Sequence, residues 1–394
     1  MVDSEVAHSV TQSASLIVGL GSTGLSCAKY FSARGRAFKV VDSRLDPPSL
    51  AELKRLMPEI ECELGEFSLQ TFLTATELLV SPGVSLKTPE IVAAQNAGVA
   101  VSGDIDIFSK VVTAPIVAVT GSNGKSTVAA MLTEILREAG KNFGLGGNLD
   151  GVNFKPVLDL LTEDSRDLYL LEVSSFQLET VENLGAEVAV LLNLSEDHMD
   201  RYENLTEYHE AKQRIFNGCK QIVVNRDEHH SYPSRKMNVP VWEFGFSRPG
   251  VNGLGVLEED GDQYLAYQFE KIVSVNELKV FGQHNISNVL AASAIAMALG
   301  IDLKQIRAAI TEFSGLPHRC QWVRNVSGIE FYNDSKGTNV GATMAAVEGL
   351  GQRISGHIVL IAGGVGKGAN FKPLVPVINR WGKEVILKIG RAHV

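Results

Sequence analysis

Thr120-Gly121-Ser122-Asn123-Gly124-Lys125-Ser126-Thr127 joins the apolar run Ile116 to Val119 to an amphipathic helical pattern from Lys125 to Ala139. Backbone amides in such a turn cradle phosphate oxygens, a lysine neutralises β and γ phosphates, and a Ser or Thr hydroxyl reaches Mg²⁺. The chemistry indicated is ATP binding. The usual GxxxxGK[ST] spacing needs a glycine where Val119 stands, so the loop is a shortened form. A second turn, Gly19-Leu20-Gly21-Ser22-Thr23-Gly24, also follows a strand pattern and opens a helix, with Asp42 at the end of the next apolar run. This GxGxxG arrangement suits a nucleotide phosphate but specifies no base. A nicotinamide, a flavin, another nucleotide or plain tight βα packing all remain open on the spacing alone.

Two further segments could complete a metal-nucleotide centre. Glu172 ends the apolar run of Leu171-Glu172-Val173-Ser174-Ser175-Phe176-Gln177-Leu178-Glu179, where a carboxylate can reach Mg²⁺ at the edge of a parallel sheet. His198 follows another strand in Asn193-Leu194-Ser195-Glu196-Asp197-His198-Met199-Asp200-Arg201-Tyr202 and can sit at that edge too. The competing structural roles are a cap for Glu172, and helix caps for Asp197 and Asp200.

The elements that must hold these residues are legible as a rhythm. From Leu16 to about Val112, short apolar runs alternate with helical patterns, which predicts a parallel sheet of βα units. One such helix is opened by Pro47 and Pro48. After Thr113-Ala114-Pro115 a second series begins, with strands expected at LYLLEV, EVAVLLNL and QIVVN. Turn-rich sequence between Val241 and Val280 predicts β-hairpins attached to that sheet, and helices are expected over Asn288 to Leu299 and Leu303 to Phe313. A third αβ unit starts near Leu316, with strands IEFYND and HIVLIAGG. The fold class expected is α/β, divided into residues 1–112, 113–313 and 314–394.

Composition narrows the partners. The 394 residues carry 36 Lys+Arg against 45 Asp+Glu, a net charge of −9, which opposes sequence-independent binding to nucleic acid. Four scattered cysteines without a CxxC argue against a zinc site or a disulfide framework and suit a reducing cytoplasm. The polar start of the chain does not read as a secretory signal, and the longest apolar runs fall short of the roughly 18–20 residues that span a bilayer. A soluble cytoplasmic monomer is expected, with no membrane or nucleic-acid partner.

The loop TGSNGKST, then LEVSSFQLE, EDHMDRY, GQHNISN, GLPHRC and NDSKGTN, in that order from Leu16 to about Gly390, resemble the Mur ligase family. SSFQLE and EDHMDRY favour its D-glutamate-adding branch. The resemblance implies three domains: a Rossmann-like N-terminal domain, a central P-loop ATPase-like domain and a C-terminal Rossmann-like domain, here incomplete. It implies ATP-driven coupling of D-glutamate to UDP-N-acetylmuramoyl-L-alanine through an acyl phosphate, for cytoplasmic peptidoglycan precursor synthesis.

Residue by residue, it assigns Gly121, Ser122, Asn123, Gly124, Lys125, Ser126 and Thr127 to the ATP loop, and Asn288, Arg319, Asp334 and Lys336 to further ATP contacts. Two Mg²⁺ ions are implied: Ser126 and Glu172 belong to one, His198 and a carbamylated Lys212 to the other. Lys125, Glu172, His198 and Lys212 form the catalytic set. A plain ammonium at Lys212 would repel Mg²⁺, whereas a carbamate supplies an anionic oxygen. Ser22, Thr23, Asp42, Ser43, Arg44 and Gly83 match positions holding the UDP moiety, which replaces the nicotinamide reading, and Asn148 and His198 lie nearer the muramoyl group. Thr338 and Lys367 match positions for D-glutamate. No Ser or Thr follows Lys367, which disfavours a second phosphate loop in Gly363-Gly364-Val365-Gly366-Lys367. His318 fits a structural role as well as a catalytic one, and Gly337 stands where many relatives carry alanine. The family's pattern continues beyond the strand EVILKIG, and Ile389 to Val394 read as a translated sequencing adapter. The last αβ unit is therefore expected to be incomplete, with uncovered apolar strands and weak D-glutamate ligation.

Overall fold

The computed structural model describes residues 14–148, 155–366 and 369–388. The expectations for the N-terminal tail, for Lys367 and for Ile389 to Val394 lie outside the described residues. The chain clusters into two compact units. The first comprises residues up to Val112 together with Lys155–Asp164 and Glu179–Glu182, and the second comprises the rest.

The first unit runs β1 (Ser15–Val18), α1 (Ser22–Ser32), β2 (Phe38–Asp42), α2 (Leu50–Leu56), β3 (Cys62–Leu64), α3 (Leu69–Thr74), β4 (Glu77–Val80), α4 (Pro89–Asn96), β5 (Ala100–Ser102) and α5 (Asp104–Val111). Its strands are all parallel in the order β3-β2-β1-β4-β5. Leu16, Ile17, Val18, Val40, Val41, Leu78 and Leu79 are buried, as in strands covered on both faces. Strand order reverses between β1 and β4, so the turn after β1 opens where α/β sheets take ligands. Helix α2 starts at Leu50 rather than at Pro47, because Pro47 and Pro48 lie in a turn closed by the Leu50 amide donating to the Pro47 carbonyl.

The second unit begins with β6 (Ile116–Thr120), α6 (Lys125–Glu138), β7 (Phe143–Gly147), β8 (Leu168–Glu172), α7 (Ser175–Leu178), β9 (Val188–Leu191), α8 (Leu205–Gln213), β10 (Gln221–Asn225) and β11 (Val241–Phe244). Then come β12 (Gly253–Glu259), β13 (Asp262–Tyr267), β14 (Glu270–Ser274), α9 (Gln283–Ala298) and α10 (Leu303–Glu312). Nine strands form one sheet in the order β14-β13-β12-β11-β10-β9-β6-β8-β7. The expected hairpins are β12-β13-β14, whereas β11 is a parallel member of the sheet. Helices α6, α9 and α10 bury Val128, Leu132, Ile135, Leu290, Ile295, Ile306 and Ile310 in one core. Helix α9 starts five residues before the expected Asn288. Gly282, at φ +84°, turns the chain into it, and the polar first turn Gln283-His284-Asn285 conceals the helical pattern.

The remaining elements of this unit are β15 (Gln321–Val326), β16 (Ile329–Asn333), α11 (Val340–Gly351), β17 (Ile358–Gly363), α12 (Leu374–Trp381) and β18 (Gly382–Lys388). The expected strands IEFYND and HIVLIAGG exist but do not share a sheet. Strand β16 pairs antiparallel with β15, and β17 pairs parallel with β18. The β15–β16 turn is Ser327-Gly328, both at positive φ, the backbone that a two-residue hairpin requires. Ile361 and Leu387 on the β17–β18 pair are exposed. Among the described residues no helix is long and apolar enough to cross a membrane.

A Cβ at Gly24 would overlap the Gly19 carbonyl oxygen, so the third glycine of the turn is what lets α1 pack onto it. Neither partner is a flexible side-chain end. Gly24→Ala is expected to destabilise the first unit by about 1–3 kcal/mol through overpacking. Gly83→Ala, facing open space, should stay within roughly 0.5 kcal/mol of the wild type. Urea denaturation of the two variants side by side checks this.

Candidate functional site

The ends of three parallel strands build the site in the second unit. Register places Val119 beside Glu172 and Thr120 beside Leu191, so the loops leaving β6, β8 and β9 open at one sheet edge. Residues Gly121 to Gly124 form the loop between β6 and α6. Gly124 has φ +84°, and a Cβ there would collide with Asn288 Oδ1, so Asn288 from α9 rests directly on the loop. Lys125 Nζ donates to the carbonyls of Gly121 (2.8 Å) and Ser122 (3.1 Å), folding over its own turn. Thr127 is buried in the first turn of α6.

Glu172 is 1% exposed at the end of β8. The Asn148 amide donates to its backbone carbonyl (2.7 Å), and Asn148 Nδ2 donates to Oε1 (3.4 Å). Oε2 is buried without a hydrogen-bond partner. Burial pushes this carboxyl up, opposed by the positive charge of Lys125, by the hydroxyl of Ser126, by Asn148 and by Arg319. Arg319 Nη2 in turn donates to Ser126 Oγ (3.0 Å). A buried, unpaired carboxylate oxygen beside a hydroxyl and a carboxamide is a set of hard oxygen donors, the kind Mg²⁺ prefers. Among the described residues no three His, Cys, Asp or Glu side chains converge on one point, so a cation here would also draw on hydroxyl and phosphate oxygens.

Lys212, near the end of α8, is 1% exposed. Its Nζ donates to the Gly121 carbonyl (3.0 Å) and approaches Thr120 Oγ1 (3.5 Å), above the Tyr208 ring. Burial, and then the charge of Lys125, drive its amine well below the ordinary lysine range, against the pull of Asp197 and Glu172. His198 lies in the loop after β9 at φ +57°, with the Phe176 ring set edge-on at 4.7 Å and Asp197 Oδ2 3.6 Å from its Nε2.

The loop is also laced to its neighbours by neutral polar groups. Asn123 N donates to Asn193 Oδ1 (2.9 Å), Asn193 Nδ2 to the Asn123 carbonyl (3.0 Å), and Asn123 Nδ2 to Ser195 Oγ (3.1 Å). Ser122 Oγ accepts from the Ser195 amide and donates to its carbonyl, both at 3.0 Å. The turn before α11 completes this side. Asp334 Oδ1 accepts from the Cys320 amide (2.9 Å), the Lys336 amide donates to the His318 carbonyl (3.1 Å), and burial raises the Asp334 carboxyl. A Cβ at Gly337 would strike Asp334 Oδ2, so glycine leaves that carboxylate room. Lys336 and Thr338 are exposed, and His318, at φ +62°, meets Asn333 Nδ2 at 2.8 Å. Phe176, Asn193, Ser195 and Asn339 escaped the sequence reading. SSFQLE and the asparagines flanking each motif were the available signals.

In the first unit, Ser22, Ser43, Arg44 and Gly83 are exposed around the reversal point, and Thr23 is half-buried. Asp42 has little left for a ligand. Its Oδ2 takes the Leu20 amide (2.7 Å) and Arg44 Nη2 (2.6 Å), and its Oδ1 takes the amide and Nε of Arg44. Burial raises this carboxyl, but the bonds from Arg44 and Leu20 outweigh it and hold the group below its usual range. Asp42 therefore ties the glycine turn to Arg44.

The profile of the Mur ligase middle domain matches residues 119–296, and that of the Mur ligase MurD-like N-terminal domain matches residues 13–103. A UDP-N-acetylmuramoylalanine--D-glutamate ligase of Pseudomonas aeruginosa is 50% identical over 376 residues, covering 95% of this chain and 83% of the relative. One of the same name from Marinobacter nauticus is 47% identical, over 97% and 84% of the two chains. The crystal structure of UDP-N-acetylmuramate-alanine ligase from Thermotoga maritima has the same fold, with a TM-score of 0.59 at 19% identity over 96% of this chain and 90% of that one.

The buried amine of Lys212 yields a test of its own. Its folded pKa lies below the unfolded value of about 10.4, so between the two the unfolded chain holds a proton that the folded chain lacks. Stability therefore falls as pH falls through that window. Lys212→Met removes the penalty and is expected to be more stable than the wild type at pH 7, in buffers purged of CO₂. The advantage should shrink as pH approaches 10.4. Urea midpoints across pH 7–10 provide the measurement, and a stability difference that does not change with pH contradicts the lowered amine.

Proposed function

The chain belongs to the Mur ligase family, among the UDP-N-acetylmuramoylalanine--D-glutamate ligases of peptidoglycan precursor synthesis, and we propose that the sheet edge around Gly121, Glu172 and Lys212 is where it drives amide formation with ATP. One observation carries this assignment of the site: a phosphate-loop lysine, a buried carboxylate with an unpaired oxygen and a buried amine meet around one loop. The substrates are UDP-N-acetylmuramoyl-L-alanine, ATP and D-glutamate.

A carboxylate is a poor acyl donor. In the proposed sequence an oxygen of the L-alanine carboxylate attacks the γ-phosphorus, the bond to ADP breaks, and an acyl phosphate forms. The uncharged amine of D-glutamate then adds to the acyl carbon. The tetrahedral adduct expels phosphate, and the amine proton passes to solvent. Amides of Gly121 to Gly124 hold the phosphates, and Lys125 leaves its loop carbonyls to stabilise the transferring charge. Asn288, Arg319, Asp334 and Lys336 support the nucleotide, and Thr338 supports D-glutamate. Ser22, Thr23, Ser43, Arg44 and Gly83 receive the uridine nucleotide, with Arg44 aimed by Asp42 and with Asn148 serving the sugar end.

Ser126 and Glu172 fit a first Mg²⁺, and His198 fits a second together with Lys212 as a carbamate. Bound there, the cations would offset phosphate charge during transfer. An uncharged amine is the form that attacks CO₂, losing a proton to give the anionic ligand, so burial of Lys212 favours the modification. The division into 1–112, 113–313 and 314–394, a cytoplasmic location and a monomeric state belong to the same reading.

Phosphate release with UDP-N-acetylmuramoyl-L-alanine and ATP is expected with D-glutamate and not with L-glutamate, L-alanine or diaminopimelate. Preference for another amino acid overturns the assignment. Lys125→Ala should lower turnover at least ~10²-fold, the effect typical of losing a preorganised charge, and leave calorimetric binding of the UDP precursor intact.

For Lys212, ¹³CO₂ should give a carbamate resonance that Lys212→Ala lacks. A small carboxylic acid should restore part of that variant's activity. A wild-type enzyme indifferent to CO₂ depletion, with no resonance, refutes the carbamate.

A further inference from the structure

Helix α11 is capped by Asn339, whose Oδ1 accepts from the Ala342 amide at 2.8 Å. That bond fixes which way the carboxamide faces. Nδ2 is turned away from the helix and donates to Asn123 Oδ1 in the phosphate loop (2.9 Å), with Asp197 Oδ2, beside His198, at 3.4 Å. A second contact shows the same close approach: a Cβ at Gly341 would lie 3.3 Å from Ser195 Oγ and 3.4 Å from Asn123 Nδ2. One side chain thus joins the start of α11 to two of the three loops at the sheet edge. The residues immediately before it, Lys336 and Thr338, are those assigned above to ATP and D-glutamate.

We propose that Asn339 is a positioning residue for amide formation, docking the Asp334–Thr338 turn onto the phosphate loop and the Asp197–His198 loop so that the amine meets the acyl phosphate. The proposal rests on the ligase reading above. Asparagine is the residue this place demands, since one end of its side chain must accept and the other must donate. Aspartate would cap the helix equally well but would face the Asp197 carboxylate. Asn123 can turn its own amide to meet an aspartate at 339, because Ser195 Oγ can donate as well as accept. Asp197 has no such freedom, and the clash with it persists.

Asn339→Asp is therefore the diagnostic variant, because it spares the cap. Its circular dichroism and thermal midpoint should match the wild type. Its KM for the UDP precursor should stay within about 2-fold, while kcat/KM for D-glutamate falls about 10-fold or more. Adding Asp197→Asn supplies a donor opposite the new carboxylate. The double variant should recover most of the loss when measured against Asp197→Asn alone, so that effects on His198 cancel in the cycle.

A wild-type chain that prefers another amino acid to D-glutamate refutes the ligase reading. An active wild type with an equally active Asn339→Asp refutes the positioning role, as does a loss in Asn339→Asp that Asp197→Asn leaves unchanged. Asn339→Ser, which keeps a capping oxygen but lacks the reach, should show the D-glutamate defect without rescue by Asp197→Asn.

Discussion

A buried amine lies under the phosphate loop, and the electrostatics of the sheet edge follow from it. Lys212 reaches the Gly121 carbonyl from inside, while Lys125 reaches the same carbonyl from α6. Burial, and then the charge of Lys125 on the same acceptor, push the Lys212 amine well below the ordinary lysine range. Glu172 is displaced in the opposite sense, its carboxyl raised by burial at the end of β8. Both interior groups are thereby pushed toward neutrality, and Lys125 and Arg319 are left as the cations nearest Ser126. An edge in that state suits polyphosphate and a divalent cation, because their charges replace solvation that the interior groups lack.

Such an arrangement opposes folding, and other features of the chain offset it. Tight packing of α6, α9 and α10 on the nine-stranded sheet provides a rigid base, and the loops above it carry the strain. His198, His318 and Cys320 all adopt positive φ in segments beside the site, a backbone that side chains with a Cβ seldom take. In each place hydrogen bonds hold the conformation. The amides of Arg201 and Tyr202 donate to the His198 carbonyl, and Gln321 and Asn333 bracket His318.

Legibility in the sequence followed the range of the interactions. Turns whose glycines answer to local backbone needs, Gly19 to Gly24 and Gly121 to Gly124, stood out because the cause and the signal lie within a few residues. The strand ends bearing Glu172 and the loop of His198 were placed by apolar runs alone. Roles that depend on contacts across many residues were hidden. The bond from the Leu20 amide to Asp42, across twenty-two residues, could not be read from spacing. The β15 strand was missed because Arg324 and Asn325 interrupt its apolar pattern, although Ser327-Gly328 carried the turn signal. Asn339 went unnoticed, since Asn123 is over two hundred residues away.

Asparagine recurs around this edge for a reason that charge balance supplies. Asn123, Asn193 and Asn339 fix the loop, Asn148 holds Glu172, and Asn288 rests on Gly124. A carboxamide donates and accepts at once, so it can join two backbone segments without adding charge. An aspartate in any of these places would repel incoming phosphates, and a lysine would compete with Lys125 for them or lower the charge contrast that aims it. Neutral amides leave Lys125, Arg319, Glu172, Lys212 and Asp197 among the groups that set the field. The loop can then be held rigidly while its response to phosphate stays with those few ionisable side chains.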